Sequence, residues 1–213
     1  MGGSYDSCYC GQGPADLIKE VSTLLSPDTG VQTAVELQKL LTNLRIDEWR
    51  QEDFLHFRWF FQVALFACSV WAWGKLVDKK RLPEITLYAG LTIIITLVLD
   101  EFGEELTLWD YPVDVIPIFP PLTAVDLASL PVIYSLIYQY FKTWNSFLRA
   151  TVAMATIFCF VLEPILVWGG FYRLLKWKYY YGFPIYIIMA LCNRWLVIKI
   201  YQIAAKAKQA ASP

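Results

Sequence analysis

Residues 147–168 read FLRATVAMATIFCFVLEPILVW, and residues 122–141 read LTAVDLASLPVIYSLIYQYF. At a rise of about 1.5 Å per residue, each stretch crosses a hydrocarbon core of about 30 Å when helical. Each also carries one acid inside its apolar run, Glu163 and Asp126. A carboxylate in hydrocarbon costs on the order of 3 kcal/mol, so it is kept where it has a partner or a task.

Working outward, three more apolar blocks occupy 54–77, 83–99 and 179–201. Composition agrees, with 57% hydrophobic, 16% aromatic and 17% charged residues, against about 45–50% apolar and about 25% charged in soluble domains. The sequence predicts an all-α integral membrane bundle of five transmembrane helices behind N-terminal amphipathic helices. The expected organisation is a Gly- and Ser-rich tail (1–13), an amphipathic region (14–53), the membrane domain (54–201) and a C-terminal tail (202–213). No nucleic-acid partner is expected of such a chain.

In the amphipathic region, Leu17, Ile18, Val21, Leu24 and Leu25 share one helical stripe. After the turn signal SPDTG, Leu37, Leu40, Leu41 and Leu44 repeat the pattern. Such helices lie on a bilayer, pair with each other or contact a second subunit. The polar face carries both signs, and packing against the membrane domain is expected, with a homo-oligomer through residues 14–50 as the alternative. No basic start followed by an apolar run is present, so no cleavable leader is expected. Cys8 and Cys10 form a lone C-x-C without the second pair that zinc needs. No cofactor is expected.

Charge placement predicts orientation. Lys75, Lys79, Lys80, Arg81, Lys142, Lys199, Lys206 and Lys208 gather at one set of block ends, whereas the 100–114 loop holds six acids and no base. The positive-inside rule puts the C-terminus in the cytoplasm of a multi-pass cell-membrane protein. Arg173, Lys176 and Lys178 run against that assignment.

Chain direction also places charged residues at a common depth. Blocks one, three and five start on the face where blocks two and four end. At about 1.5 Å per residue, Arg58, Asp126 and Glu163 lie roughly 6–8 Å below that face, with His56 shallower and Asp100 above. A guanidinium between carboxylates suits bidentate pairing. Three readings stay open: an ion-paired staple, the polar floor of a ligand cavity, or side chains snorkelling to the interface. His56 is the only histidine, a proton carrier or a hydrogen-bonded structural residue.

The loop DEFGEELTLWDYPVD (100–114) offers Glu101, Glu104, Glu105, Asp110 and Asp114 as weak oxygen ligands for a hard cation. The structural alternative is a solvated outer loop. There is no GxSxG elbow, HExxH, Walker loop or dinucleotide fingerprint.

The stretch LTLWDYPVDVIPIFPPLTAVDLASLPVIYSLIYQYF, with FVLEPILVWGGFYRLLKWKYYYGFPIYI, resembles a family of small uncharacterised multi-pass membrane proteins of endospore-forming bacteria. That likeness covers roughly residues 85–200 and implies no particular activity. A fainter similarity is to the membrane-embedded carotenoid (lycopene) cyclases, with Asp100, Trp109, Tyr111, Pro121 and Asp126 in analogous places. The cyclases' tandem Glu-Glu after the proline is absent here, where Ala124-Val125-Asp126 stands.

The leading expectation is a lipid-like or isoprenoid ligand in a polar-floored pocket bordered by His56, Arg58, Asp100, Trp109, Tyr111 and Trp168. Membrane lipid is then the natural partner. The alternative is an intramembrane enzyme of cyclase or hydratase type, with Asp126 or Glu163 as general acid. A third expectation is a channel or scaffold subunit. Whether the chain is an enzyme stays open.

Overall fold

The computed structural model describes residues 30–113, 115–117 and 125–211; of 30–33, 125, 126 and 211 it describes the backbone alone. The chain divides into two units, Met1–Glu48 and Trp49–Pro213. The described part of the first is one helix, α1 (Gly30–Glu48). None of its described side chains is buried, and Val35, Leu41 and Leu44 are exposed. The stripe predicted for 14–25 lies outside the described residues.

The second unit holds α2 (Phe57–Leu76), α3 (Leu82–Glu105), α4 (Leu130–Tyr140), α5 (Trp144–Ile157), α6 (Glu163–Trp168) and α7 (Tyr179–Ala211). Two-residue strands β1 (Trp109–Asp110) and β2 (Arg173–Leu174) pair antiparallel. Three helical stretches are long and apolar enough to cross a membrane: 79–105, 144–168 and 179–210. A fourth joins them if 34–53 and 57–76 form one broken span.

The expected third span differs. Its described helix is a five-residue π turn, Val125–Ser129, followed by the eleven residues of α4. That is about 24 Å, short of a bilayer core. Six of the eleven α4 residues are buried, among them Tyr134, Ser135, Tyr138 and Gln139. Elsewhere the expected limits extend: α3 continues through the acidic DEFGEE stretch, and α7 runs through the tail to Ala211. The sequence AAKAKQAA holds no glycine or proline to stop it.

Side-chain bonds fix the helix directions. Ser69 bonds Ser129, Trp73 bonds Ser135, and Gln139 bonds the Leu76 carbonyl, so α2 and α4 run parallel. Tyr134 bonds the Tyr186 carbonyl and Arg194 the Phe141 carbonyl, so α4 and α7 also run parallel. Cys159 and Glu163 lie against Gly182 while Trp144 lies under Arg194, so α5 and α6 run antiparallel to α7.

The interior is unusually polar. Gln62, Thr92, Thr96, Ser135, Thr151 and Asn193 are buried, while Trp71, Ile94, Phe102, Trp168 and Ile203 are more than 60% or close to 60% exposed. Buried polar groups of this kind bond across helices, as Asn193 does to Thr92 and Tyr88 does to the Ala190 carbonyl. Apolar outside and hydrogen-bonded inside is the arrangement that hydrocarbon solvent selects.

Proline decides the local geometry twice. Pro131 and Pro164 each stand in the first turn of a helix that directly follows a π turn, Val125–Ser129 and Phe158–Leu162 respectively. A proline ring clashes with the carbonyl four residues earlier and supplies no N–H. The widened turn accommodates both defects, and such turns recur at functional sites.

Candidate functional site

At the end of the bundle where α3 and α6 finish, a cavity of about 230 Å³ opens between α2, α3, α6 and α7. Its polar groups come from α3, from the start of α6 after the Phe158–Leu162 turn, from the roof and from the facing sides of α2 and α7. Glu163 opens α6, directly after the Phe158–Leu162 turn, and is 7% exposed; Asp100, on the last part of α3, is 8% exposed. Each carboxylate accepts a hydrogen bond from a tyrosine hydroxyl: Tyr186 to Glu163 Oε1 at 2.9 Å, and Tyr111 to Asp100 Oδ1 at 2.9 Å. All four residues line the cavity.

Aromatic rings roof it. The Trp109 and Trp177 rings meet edge-on at 5.0 Å, and Tyr111 lies 5.3 Å from Tyr172. The roof is tied together by backbone. Trp109 pairs with Leu174 across the short sheet, and the N–H groups of Leu175, Lys176 and Trp177 all point to the Leu108 carbonyl at 2.9–3.2 Å. Trp59 and Gln62 of α2 bond the Val115 and Val113 carbonyls, anchoring the following loop.

Gly103 makes the roof possible. A Cβ there would sit 1.9 Å from the Trp109 ring. Only a residue without a side chain lets the indole lie flat on α3. Gly170, at φ +73°, serves the turn after α6 and packs under the Arg58 guanidinium, 3.1 Å from the Cβ that a side chain would add. We expect Gly170→Ala to cost about 1–2 kcal/mol from the left-handed backbone alone. Thermal unfolding in detergent measures this, and an unchanged midpoint would show that the turn relaxes.

The residues predicted to form the site are distributed as follows. Asp100, Trp109, Tyr111 and Glu163 come together in the cavity. Arg58 and His56 are exposed, and neither lines it. Arg58 lies over Gly170, because α2 starts beside the turn after α6. Trp168 is 90% exposed and points away. The side chain of Asp126 and all of Asp114 lie outside the described residues. The expected cation between two anions is therefore not assembled among the described residues.

Of the weak metal candidates, Glu101 and Glu105 are exposed and Glu104 is half-buried. Asp110 faces Arg173 at 3.9 Å on the open surface of the roof. Among the described residues, no three acids, histidines or cysteines converge on one point.

Sequence reasoning missed Tyr186, Trp177, Gly103 and Gly182. Gly182 and Tyr186 are four residues apart on α7, hence on one face, and that face carries the contacts to Glu163. The signal was available only to a reader who already knew which helix faces Glu163. We expect Tyr186→Phe to cost about 1–2 kcal/mol, since a buried carboxylate loses a donor. Chemical denaturation compared with Tyr180→Phe, an exposed control, separates that bond from a general effect of tyrosine loss.

Arg194 forms a second buried polar centre, at the opposite end of the bundle. It is 4% exposed. Its guanidinium donates to the carbonyls of Phe141 (2.7 Å) and Lys142 and lies 4.4 Å from the Phe147 ring centre. Close by, Glu84 pairs with Arg81 at 3.0 Å and accepts from the Tyr138 hydroxyl. This end is a clamp between helices.

Comparison with protein-family models, with curated proteins and with solved structures gave no match.

Proposed function

We propose that the chain is a multi-pass membrane protein that takes one end of a lipid-like or isoprenoid amphiphile into the cavity beneath Trp109 and Trp177. The observation that carries this reading is an aromatic-walled cavity holding two buried carboxyl groups, reached through exposed apolar residues. Phe61, Leu99, Phe102 and Leu106 line it and are also exposed. In a bilayer those four side chains face hydrocarbon, so a chain could enter sideways from the lipid.

Volume limits what enters. At about 230 Å³ the cavity is below the roughly 300–1,000 Å³ of sites that enclose a drug-sized ligand. It suits a head group or a chain terminus, with the remainder of the molecule left among the lipids. The positive-inside rule puts the Arg194 end in the cytoplasm and the cavity in the outer half of the membrane.

The test is native mass spectrometry of protein extracted in a mild sugar detergent. One retained amphiphile per chain is expected, displaced by added lipid extract. Protein that carries none, and acquires none from extract, would remove the reading. An intramembrane acid catalyst is the second reading, favoured by the burial of Glu163 against Tyr186. Conversion of a bound isoprenoid by the native protein, abolished in Glu163→Gln with binding intact, is the result it requires.

A further inference from the structure

Resting on that amphiphile-binding reading, we infer that the end of the ligand held in the cavity is a cation, a quaternary or protonated amine on an apolar chain.

The cavity wall combines two kinds of group. Asp100 and Glu163 contribute carboxyls that are more than nine-tenths buried. Trp109, Trp177, Tyr111 and Tyr172 contribute ring surfaces, in pairs 5.0 and 5.3 Å apart. Among the described residues that line it there is no lysine, arginine or histidine. A ring face carries negative electrostatic potential, and cages of such rings recognise quaternary ammonium groups. The desolvated setting strengthens that attraction, because little solvent competes.

Charge complementarity excludes the opposite choice. A phosphate, sulfate or diphosphate head would meet two acidic groups and no base, at a cost that a buried site amplifies. A neutral chain terminus would fit the rings but gain no attraction from the carboxyls. A cation uses both components, and its chain leaves through Phe61, Leu99, Phe102 and Leu106.

The tyrosines fit this role. Tyr111 and Tyr186 donate to one oxygen of each carboxylate. They hold the carboxylates in fixed orientation, so that little ordering remains to be done when the ligand arrives.

The experiment titrates the full-length protein in dodecyl maltoside, following tryptophan emission. The probes share one chain and differ in head group: octyltrimethylammonium, octanol and octyl sulfate. Tetramethylammonium tests the head alone, and dioctanoyl phosphatidylcholine tests a choline head borne by a lipid. Octyltrimethylammonium should bind at least about tenfold tighter than octanol, and octyl sulfate weakest of the three. In Asp100→Asn and Glu163→Gln, that preference should fall to about threefold or less.

Equal binding of the three heads, or preference for octanol, overturns the cation assignment while amphiphile binding stands. Binding of none of them overturns both. The wild-type comparison needs no variant, so it decides even if both substitutions prevent folding. Tighter binding of the choline lipid than of the single-chain amine would mark a membrane lipid as the source of the head group; the reverse would mark a free amphiphile.

Discussion

Arg194→Ala is expected to lower the unfolding midpoint in detergent by about 6–12 °C, the counterpart of roughly 3 kcal/mol in a chain of this length. Two hydrogen bonds to a charged donor account for this, at about 1.5 kcal/mol or more each. The acceptors matter as much as the donor. Phe141 and Lys142 follow the last turn of α4, where carbonyls have no helical partner. Removing the guanidinium takes the donor from both part-buried bonds and the cation from the face of the Phe147 ring.

Arg194→Lys is the informative control. It keeps the charge, but a single ammonium cannot span two carbonyls and stack on a ring at once. We expect it to recover less than half of the loss. A midpoint within about 2 °C of wild type for Arg194→Ala would mean that the turn between α4 and α5 holds itself together.

The second large effect belongs to Gly103. Gly103→Val should abolish amphiphile retention and destabilise the protein by about 1–3 kcal/mol, the usual cost of overpacking. The competing term is helix propensity, since replacing glycine inside α3 gains up to about 1 kcal/mol. For alanine the Cβ alone already stands 1.9 Å from the indole, so the ring has to move and the propensity gain is offset. For valine the added methyls enter the space that Trp109 fills, and its β-branch forfeits part of the propensity gain. Retention is read by mass spectrometry and stability by thermal unfolding. Valine protein that still holds its amphiphile would show that Trp109 is not the roof.

How much was legible beforehand differs element by element. Apolar length alone put spans at 83–99, 147–168 and 179–201, within the helical stretches 79–105, 144–168 and 179–210, because a long apolar helix leaves a signal in every window of its sequence. The 122–141 block was expected as a span; its described helix covers 125–140, and α4 buries Tyr134, Ser135, Tyr138 and Gln139 against α2, α3 and α7. Hydropathy cannot distinguish a side chain facing lipid from one facing another helix. Both environments are apolar, and they differ only in which hydrogen-bond partners are at hand.

The site divides along the same line. Asp100, Trp109, Tyr111 and Glu163 were nameable because acids and aromatics near the end of a span are conspicuous. Arg58 was nameable for the same reason, yet it does not line the cavity. Equal depth along the bundle axis leaves rotation about each helix undetermined. One residue's rotation of about 100° turns an inward group outward.

Chain chemistry alone thus establishes the class of the protein: helical, with long apolar stretches and acids at conspicuous places within or beside them. Counting residues along a helix yields height, and hydropathy yields solvent preference. Azimuth comes only from packing. The π turn ahead of Pro164, the glycine that admits Trp109, and the pairing of α7 with α6 together turn Glu163, Tyr186 and Asp100 towards one space. Those are relations between segments far apart in the chain, and no local pattern encodes them.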